Sequence, residues 1–219
     1  MPTRLPMPND GIFHIYNKSI AGFEIFRNPK EFERFTWMLR FFSISKTTLT
    51  FSKLMRDYTE AELGEKIAEQ TRHHPPKIQL ISYCLMPTHI HFVIKQKEQN
   101  AISFFMKKLL NSYTNYFNFK NHRKGPLWES RFKHVACETD EQLLHLTRYI
   151  HLNPVTAYLV DRPEDWIASS YKEYLNEKSD NLCNWSSLID LSPKRYKAFT
   201  ENRIEDQRML AKIKNLMLD

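Results

Sequence analysis

The stretch KIQLISYCLMPTHIHFVIK, residues 77–95, decides how this chain folds. Its two halves are rich in large apolar residues, and the short segment MPT, residues 86–88, separates them. Apolar runs of strand length on either side of a tight turn are typical of a β-hairpin. We therefore predict two strands, over residues 77–85 and 89–95, that pair with each other.

Two histidines stand at alternate positions after this turn. Side chains of a strand alternate between its two faces, so His89 and His91 point to one side while Ile90 and Phe92 point to the other. Their backbones are about 7 Å apart, and neutral imidazoles at that spacing can converge on one divalent ion. The triplet alone is a weak signal, because unrelated polar side chains on a half-exposed strand produce it as well.

The segments around the hairpin predict further strands. GIFHIY, residues 11–16, favours a first strand that turns at Asn17-Lys18, and residues 127–138 favour a last one. Residues 44–56 are ambiguous between strand and loop.

Helices are predicted from periodic apolar residues and from capping signals. One begins at Pro29, one spans about 60–71 behind the capping box Thr59–Glu62, and one spans 99–119. A second capping box at Thr139 opens a helix that Pro154 should end at about Leu152 or Asn153. The order of elements predicts an α+β sandwich, with helices packed on an antiparallel sheet.

The chain has 219 residues, enough for one substantial domain with an appendage. The pattern changes after Val160. We predict a main domain over residues 1–160, with a surface helical insertion at 57–72, and a helical C-terminal extension over 161–219.

The charge balance suits a polyanionic partner. The formal net charge is +7. Most of this excess lies between residues 107 and 134, where seven cations accompany Glu129: Lys107, Lys108, Lys120, Arg123, Lys124, Arg131 and Lys133. A solvated basic face is the alternative interpretation of this run.

Several classes of function lack support. The four glycines form no phosphate-binding loop, so we expect no nucleotide cofactor. The three cysteines form no Cys-x-x-Cys motif and fit a reduced compartment. Without a long apolar run, we expect a cytoplasmic protein that does not enter the membrane.

The helix after Thr139 carries a second signal. At 100° per residue, Gln142, His145, Tyr149 and Asn153 fall on one stripe beside an apolar stripe that should face the sheet. Taken alone, a helical tyrosine is far more often a packing residue than a nucleophile.

Five blocks of sequence together resemble the REP-associated tyrosine transposases, which belong to the HUH single-tyrosine transposases of small insertion sequences. They are GIFHIYNK (11–18), YCLMPTHIHFVI (83–94), GPLWESRFK (125–133), YIHLNPVTA (149–157) and WIASSY (166–171). The match runs in order over about residues 11–175. Motifs spaced along the chain in this way are much more specific than either signal above.

The resemblance implies a ferredoxin-like (RRM-like) fold. It also implies that His89 and His91 are metal ligands for Mg²⁺ or Mn²⁺ and that Tyr149 is the nucleophile. Asn153 is the expected third ligand, at a place where the smallest insertion-sequence enzymes are expected to use glutamine. The implied activity is metal-dependent cleavage and rejoining of single-stranded or hairpin DNA through a 5′-phosphotyrosine, by a monomer or homodimer.

The basic stretch is the predicted DNA-binding surface, with Lys107, Lys108, Lys120, Arg123, Lys124, Arg131 and Lys133 as phosphate contacts. Trp128, Phe132 or Tyr116 would stack on bases, unless they are core aromatics. We include Trp128 among the expected DNA-binding residues.

Other interpretations stay open. A domesticated DNA-binding protein would keep the fold without transposing, and Tyr113 or Tyr116 is an alternative nucleophile. A histidine-triad hydrolase is disfavoured because Val93 stands where its third histidine would be. A zinc site with Cys84 lacks a fourth ligand, and strand alternation is expected to place Cys84 on the opposite parity from His89.

Overall fold

The computed structural model describes residues 6–44, 50–177 and 181–216, with side chains in the last helix as far as residue 211. Its strands form one antiparallel sheet of order β2-β3-β1-β4. They are β1 (Ile12–Lys18), β2 (Ile78–Met86), β3 (His89–Gln96) and β4 (Lys133–Cys137). The predicted hairpin is confirmed as β2 and β3, and the order is that of a ferredoxin-like sheet.

Helices cover both faces of the sheet. They are α1 (Pro29–Ser43), α2 (Phe51–Asp57), α3 (Glu60–His73), α4 (Ala101–Lys120), α5 (Asp140–Thr156), α6 (Tyr171–Tyr174), α7 (Pro193–Glu201) and α8 (Ile204–Leu216). Short 3-10 helices lie at Ile20–Gly22 and Pro163–Asp165. The predicted α+β class is confirmed. None of the helices in the described ranges is both long and apolar enough to cross a lipid bilayer.

The main core lies between the sheet and the pair α1 and α4. Phe13 and Ile15 of β1 stand opposite Ile94 and Phe92 of β3, and all four are buried. Across the core, the rings of Phe35 in α1 and Tyr113 in α4 meet edge to face at 4.9 Å. Because each large apolar side chain contributes roughly 1.5–3 kcal/mol when fully buried, this layer fixes which face of β1 and β3 remains for other contacts.

The helix α5 covers the opposite face, over β2 and β3. Thr139 caps its first turn by accepting a hydrogen bond from the Gln142 backbone. The prediction that Pro154 ends the helix was wrong, because the helix runs to Thr156. A proline removes only one hydrogen bond. Here the backbone continues past it, with the N–H of Ala157 donating to the Asn153 carbonyl.

Residues beyond Val160 pack on the same body. Ala168 accepts a backbone hydrogen bond from Leu85 in β2, and Ser170 donates one to Tyr83. The guanidinium of Arg148 in α5 lies 4.2 Å from the ring centre of Phe199 in α7. The segment predicted as a C-terminal extension therefore holds both the outer strand β2 and the back of α5.

Three local predictions differ from the structure. β1 continues through Lys18 instead of turning at Asn17. Within 44–56 the residues from Phe51 onward are helical, and residues 45–49 lie outside the described ranges. The last strand covers only Lys133–Cys137 of the predicted 127–138.

The first strand is longer because Asn17 and Lys18 pair with Ile90 and His89 of β3. Side-chain hydrogen bonds accompany the shorter last strand. The Asn17 side chain donates hydrogen bonds of 3.0 Å to the carbonyls of Ser130 and Arg131, whose backbone therefore bonds to a side chain and not to a strand.

The helix behind the Thr59–Glu62 capping box is confirmed, and the box is formed in both directions.

Candidate active site

Neighbouring strands place an aromatic and imidazole cluster on the face of the sheet that α5 covers. Directly opposite residues of antiparallel strands point to the same side. His91 stands opposite Tyr16, and His89 stands opposite Lys18. His14 lies two residues before Tyr16 and shares its face.

Both predicted metal ligands have one ring nitrogen in a hydrogen bond. The Nδ1 atom of His91 lies 2.9 Å from Nε2 of His14. The Nδ1 atom of His89 lies 3.0 Å from the Thr88 hydroxyl oxygen. With Nδ1 engaged in each ring, Nε2 is the nitrogen available to a ligand. Orientation of a ligating imidazole through its other nitrogen is the usual arrangement in metal sites.

The imidazoles are neutral near pH 7. Burial, and to a smaller extent the charge of Lys18, lowers the pKa of His89 to about 4. Burial is also the main cause that lowers the pKa of His91 well below its usual value, and the neighbours His89, His14 and Lys18 act in the same direction. A neutral imidazole is the form that binds a metal ion, so the donors fit a divalent cation.

Tyr149 reaches this cluster from α5. Its ring centre lies 5.9 Å from that of His91 and 6.2 Å from that of His14, in both cases edge to face. The side chain is 41% exposed, so a substrate can approach it. Burial raises the pKa of Tyr149, while a hydrogen bond with Asn153 acts in the opposite direction. Residues separated by nearly sixty positions therefore meet in one chain.

Asn153 lies one helical turn after Tyr149. Its Nδ2 atom donates a 3.1 Å hydrogen bond to the Tyr149 carbonyl. Within the described ranges, no group of three or more His, Cys, Asp or Glu side chains is placed to hold a metal ion.

Sequence reasoning missed His14. The residue stands in the middle of the first block, GIFHIYNK, on a strand that alternates apolar residues with polar or aromatic ones. That alternation placed it on the face of Tyr16. Only the pairing of β1 with β3 shows that this face is also the face of His91.

The expected parity of Cys84 was wrong. Cys84 stands opposite His91 and therefore lies on the same face of the sheet. The two-residue turn decides this placement, because it pairs Met86 with His89 and so brings Cys84 opposite His91. The thiol is buried and donates to the Met86 sulfur at 3.7 Å.

A second buried histidine, His151, lies on α5 two residues after Tyr149. The ring of His151 in α5 has its Nδ1 atom 2.7 Å from the Tyr196 hydroxyl of α7. Its Nε2 atom lies 2.7 Å from the Ser170 hydroxyl. Burial lowers the pKa of His151 to about 3. The sequence block YIHLNPVTA contains this residue, but its spacing does not indicate a buried hydrogen-bond network.

The two alternative nucleophiles lie elsewhere. Tyr113 is fully buried in the main core, where its hydroxyl donates to the Ile25 carbonyl. Tyr116 packs under the guanidinium of Arg34, at 4.1 Å from the ring centre. Neither tyrosine lies beside His89 or His91.

The structure divides the predicted DNA-binding residues by their environment. Lys120 donates to Glu31 at 2.7 Å, and Arg123 donates to the Pro126 carbonyl at 2.6 Å. Trp128 is only 8% exposed and packs in the core, as does Phe132. The remaining cations lie at the surface or along α4: Lys107, Lys108, Lys124, Arg131 and Lys133. Trp128 and Phe132 are therefore core aromatics in this structure, which was the alternative to stacking on bases.

Lys107 and Arg131 both line a cavity of about 590 Å³ between α4 and the loop before β4. Trp128 and Phe132 also line it. The cavity is on the side of the main core, away from Tyr149.

Comparisons with known proteins agree with this arrangement. Residues 48–153 match the model of the family described as "Transposase IS200 like". Among solved structures, the chain is similar to a REP-associated tyrosine transposase bound to a REP hairpin, with a TM-score of 0.52 and 12% identity. That match covers 87% of this chain and 98% of the other. No curated protein sequence matches this chain significantly.

The structural likeness confirms the fold, and the family match spans β2, β3 and α5 up to Asn153, which carry His89, His91 and Tyr149. Over residues 48–153, the chain is therefore similar to the IS200-like transposases.

Proposed function

We propose that this protein cleaves and rejoins single-stranded or hairpin DNA, with Tyr149 as nucleophile and a divalent metal ion as cofactor. The observation that carries the proposal is the position of the Tyr149 ring against His91, on the face of the sheet that also bears His89. Tyr149 is partly exposed, and its ring lies against the neutral imidazole of His91. It is therefore suited to attack a phosphate bound beside that imidazole.

His89 and His91 would hold Mg²⁺ or Mn²⁺ through their Nε2 atoms, and Asn153 is the proposed third ligand. Such an ion supplies charge stabilisation to the non-bridging phosphate oxygens in the transition state. Phosphate oxygens and water would complete a coordination shell of hard donors.

Tyr149 performs the covalent step. Its phenolic oxygen forms a bond to the phosphorus, the bond from phosphorus to the 3′ oxygen breaks, and the phenol proton passes to water. The leaving 3′ oxygen takes up a proton and becomes a hydroxyl. The free energy of the phosphodiester is kept in the phosphotyrosine, so the same hydroxyl, or another, can reverse the step without a nucleotide cofactor.

The surroundings of Tyr149 bear on its reactivity. A phenol with a pKa of 10 is ionised in about one molecule in a thousand at pH 7, and burial of Tyr149 lowers that fraction further. The Asn153 side chain acts against this, because its hydrogen bond lowers the pKa of Tyr149. Asn153 therefore has two proposed roles, one toward the ion and one toward the nucleophile.

Tyr149 meets the histidines of its own chain, which supports cleavage in cis by a monomer. A homodimer that exchanges α5 would form the same site in trans. Surface cations on α4 and before β4 would hold the flanking DNA, with Lys107, Lys108, Lys124, Arg131 and Lys133 as proposed phosphate contacts.

The test is covalent capture. The full chain is incubated with labelled hairpin DNA and Mn²⁺, and adducts are resolved on denaturing gels. We expect an adduct that Tyr149→Phe abolishes while DNA affinity stays within about twofold, since the hydroxyl acts in the chemical step. Tyr116→Phe is the matched control and should keep the adduct. An adduct of normal yield in Tyr149→Phe would exclude this nucleophile.

The alternative is a domesticated DNA-binding protein of the same fold. It would bind the hairpin and give no adduct with the wild-type chain. The presence of His89, His91 and Tyr149 in one cluster makes the enzymatic function the better supported of the two.

A further inference from the structure

The helix α5 covers only part of the sheet face against which Tyr149 packs. The helix lies over β2 and β3, whereas β4 is the outer strand on the other side of β1. On β4, Lys133 and Val135 share a face and both are exposed, Val135 at 55%. On β1, Tyr16 is half-buried and Lys18 is exposed.

The strand register puts these residues on the active-site face. Lys133 stands opposite Tyr16, and Tyr16 stands opposite His91, so the three form one row across the sheet. Val135 stands opposite His14. Strands are about 4.8 Å apart, so Tyr16 is one strand from the proposed metal ligand and Lys133 is two. We call Tyr16, Lys18, Lys133 and Val135 the β1–β4 platform.

The charge on this platform is positive. Neither Lys18 nor Lys133 forms an ion pair with a carboxylate in the described ranges. Lys18 also stands directly opposite His89, and His91 lies on the same face of the sheet. A fixed cation beside two ligands for a metal cation is repulsive unless an anion lies between them. The site is thus electrostatically arranged for a bound anion.

Tyr16 adds an aromatic surface next to this charge. Its ring lies nearly parallel to those of His14 and His91, with centres 5.0 and 6.1 Å away. An aromatic ring on an open sheet, between cations, is the arrangement by which proteins bind single-stranded nucleic acid, because every base has a face that can stack. In a duplex, the base faces are already stacked on one another.

We propose that the β1–β4 platform binds the unpaired nucleotide next to the scissile phosphate, with its base stacked on Tyr16 and its phosphates near Lys18 and Lys133. This assignment rests on the proposed function for the identity of the strand. It explains why the protein would act on an unpaired strand: the base beside the cleaved bond must be free to leave its own stack.

The test measures binding without cleavage. All variants are made in the Tyr149→Phe chain, and the probe is a fluorescent single-stranded oligonucleotide followed by anisotropy. Tyr16→Ala should weaken binding about tenfold, and Tyr16→Phe should restore most of the affinity, because stacking needs the ring and not the hydroxyl. A blunt duplex of the same sequence should show no difference between these variants.

Charge is tested separately. Lys18→Gln should weaken binding of the single strand and reduce the slope of log affinity against log salt by about 0.7, the value for one phosphate contact. Lys66→Gln is the matched control, since Lys66 lies on α3 and pairs with Glu69. It should leave both the affinity and the slope unchanged.

A third pair of variants introduces a negative charge at exposed positions of β4. Val135 and Ala136 are both exposed residues of β4, but alternation puts them on opposite faces. Val135→Glu should weaken single-strand binding, whereas Ala136→Glu should not.

Equal affinity of Tyr16→Ala, Val135→Glu and the parent for the single strand would overturn the platform. The platform would also be overturned if these variants lost as much affinity for the duplex as for the single strand. Both results are independent of the covalent-capture test: an adduct that persists in Tyr149→Phe would reject the proposed nucleophile and leave the platform standing.

Discussion

The Nε2 atom of His14 lies 2.9 Å from the Nδ1 atom of His91. One of the two nitrogens must carry the proton of this hydrogen bond. If His91 donates, its Nε2 keeps a lone pair for a metal ion, and if it accepts, its Nε2 carries a proton and cannot bind one. His14 can accept with Nε2 while Nδ1 holds its own proton. Binding of the proposed metal ion at His91 would therefore select one tautomer of the pair.

Replacement of His14 should weaken metal binding without removing a ligand. We expect His14→Phe to reduce the affinity for Mn²⁺ by 10- to 100-fold, the usual effect of losing a partner that orients a ligating imidazole. Titration followed by electron paramagnetic resonance of free Mn²⁺ measures this. His134→Asn is the control, because His134 packs against Phe13 on the other face of the sheet. An unchanged Mn²⁺ affinity in His14→Phe would contradict the assigned role.

The helix α5 should depend on the C-terminal segment through one hydroxyl. Tyr196→Phe removes the partner of the buried Nδ1 atom of His151, which costs about 1–3 kcal/mol when a buried polar atom is left unpaired. Because His151 is two residues from Tyr149, we also expect slower adduct formation at a temperature where the variant is folded. Chemical denaturation and single-turnover capture are the two measurements.

Tyr171→Phe serves as the comparison for that experiment. Its hydroxyl donates to Glu201 at 3.1 Å in the same aromatic cluster and does not contact His151. The variant should lose some stability and keep the rate of adduct formation. If both variants slow the reaction equally, α5 is held by general packing and not by the His151 contact.

Acid should destabilise the protein through His151. Its folded pKa is about 3 and its unfolded value is near 6.5, so the unfolded chain binds more protons between these limits. Stability from this residue is complete above pH 6.5 and falls as the pH drops toward 3. The slope for one such group approaches 1.4 kcal/mol per pH unit.

Urea denaturation of the wild type and of His151→Asn between pH 7 and pH 4 isolates this contribution. The other buried histidines remain in both proteins, so the difference between the two slopes belongs to position 151. Parallel curves would mean that His151 is protonated in the folded protein at mildly acidic pH.

Lys120 should act more on stability than on DNA binding. Its ammonium lies 2.7 Å from the Glu31 carboxylate, which is buried and also accepts from the Arg27 backbone at 2.7 Å. Lys120→Gln leaves this buried carboxylate short of a partner, at an expected cost of about 1–3 kcal/mol. Thermal or chemical denaturation measures it.

Lys124→Gln is the matched variant, because Lys124 is exposed in the loop after α4. It should lower hairpin affinity and leave stability within about 0.5 kcal/mol, as for other surface substitutions. A Lys120→Gln protein with wild-type stability and a larger loss of DNA affinity than Lys124→Gln would reverse these roles.

Several elements could be predicted because the information for them is local. The hairpin of β2 and β3 follows from two apolar runs and a turn containing Pro87, and the start of α3 follows from Thr59 and Glu62 in a reciprocal cap. The positions at which elements end depend more on tertiary contacts. Pro154 does not end α5, because contacts with α7 and α8 outweigh one missing hydrogen bond.

The shared face of His89 and His91 can be predicted from sequence, since alternation along a strand needs no partner. The spacing of Tyr149 and Asn153 by one helical turn can be predicted as well. The pairing of β1 with β3, which brings His14, Tyr16 and Lys18 to the site, is seen only in the folded chain. Strand pairing is a relation between distant segments, settled by which faces can be buried together, and no local pattern in either strand contains it.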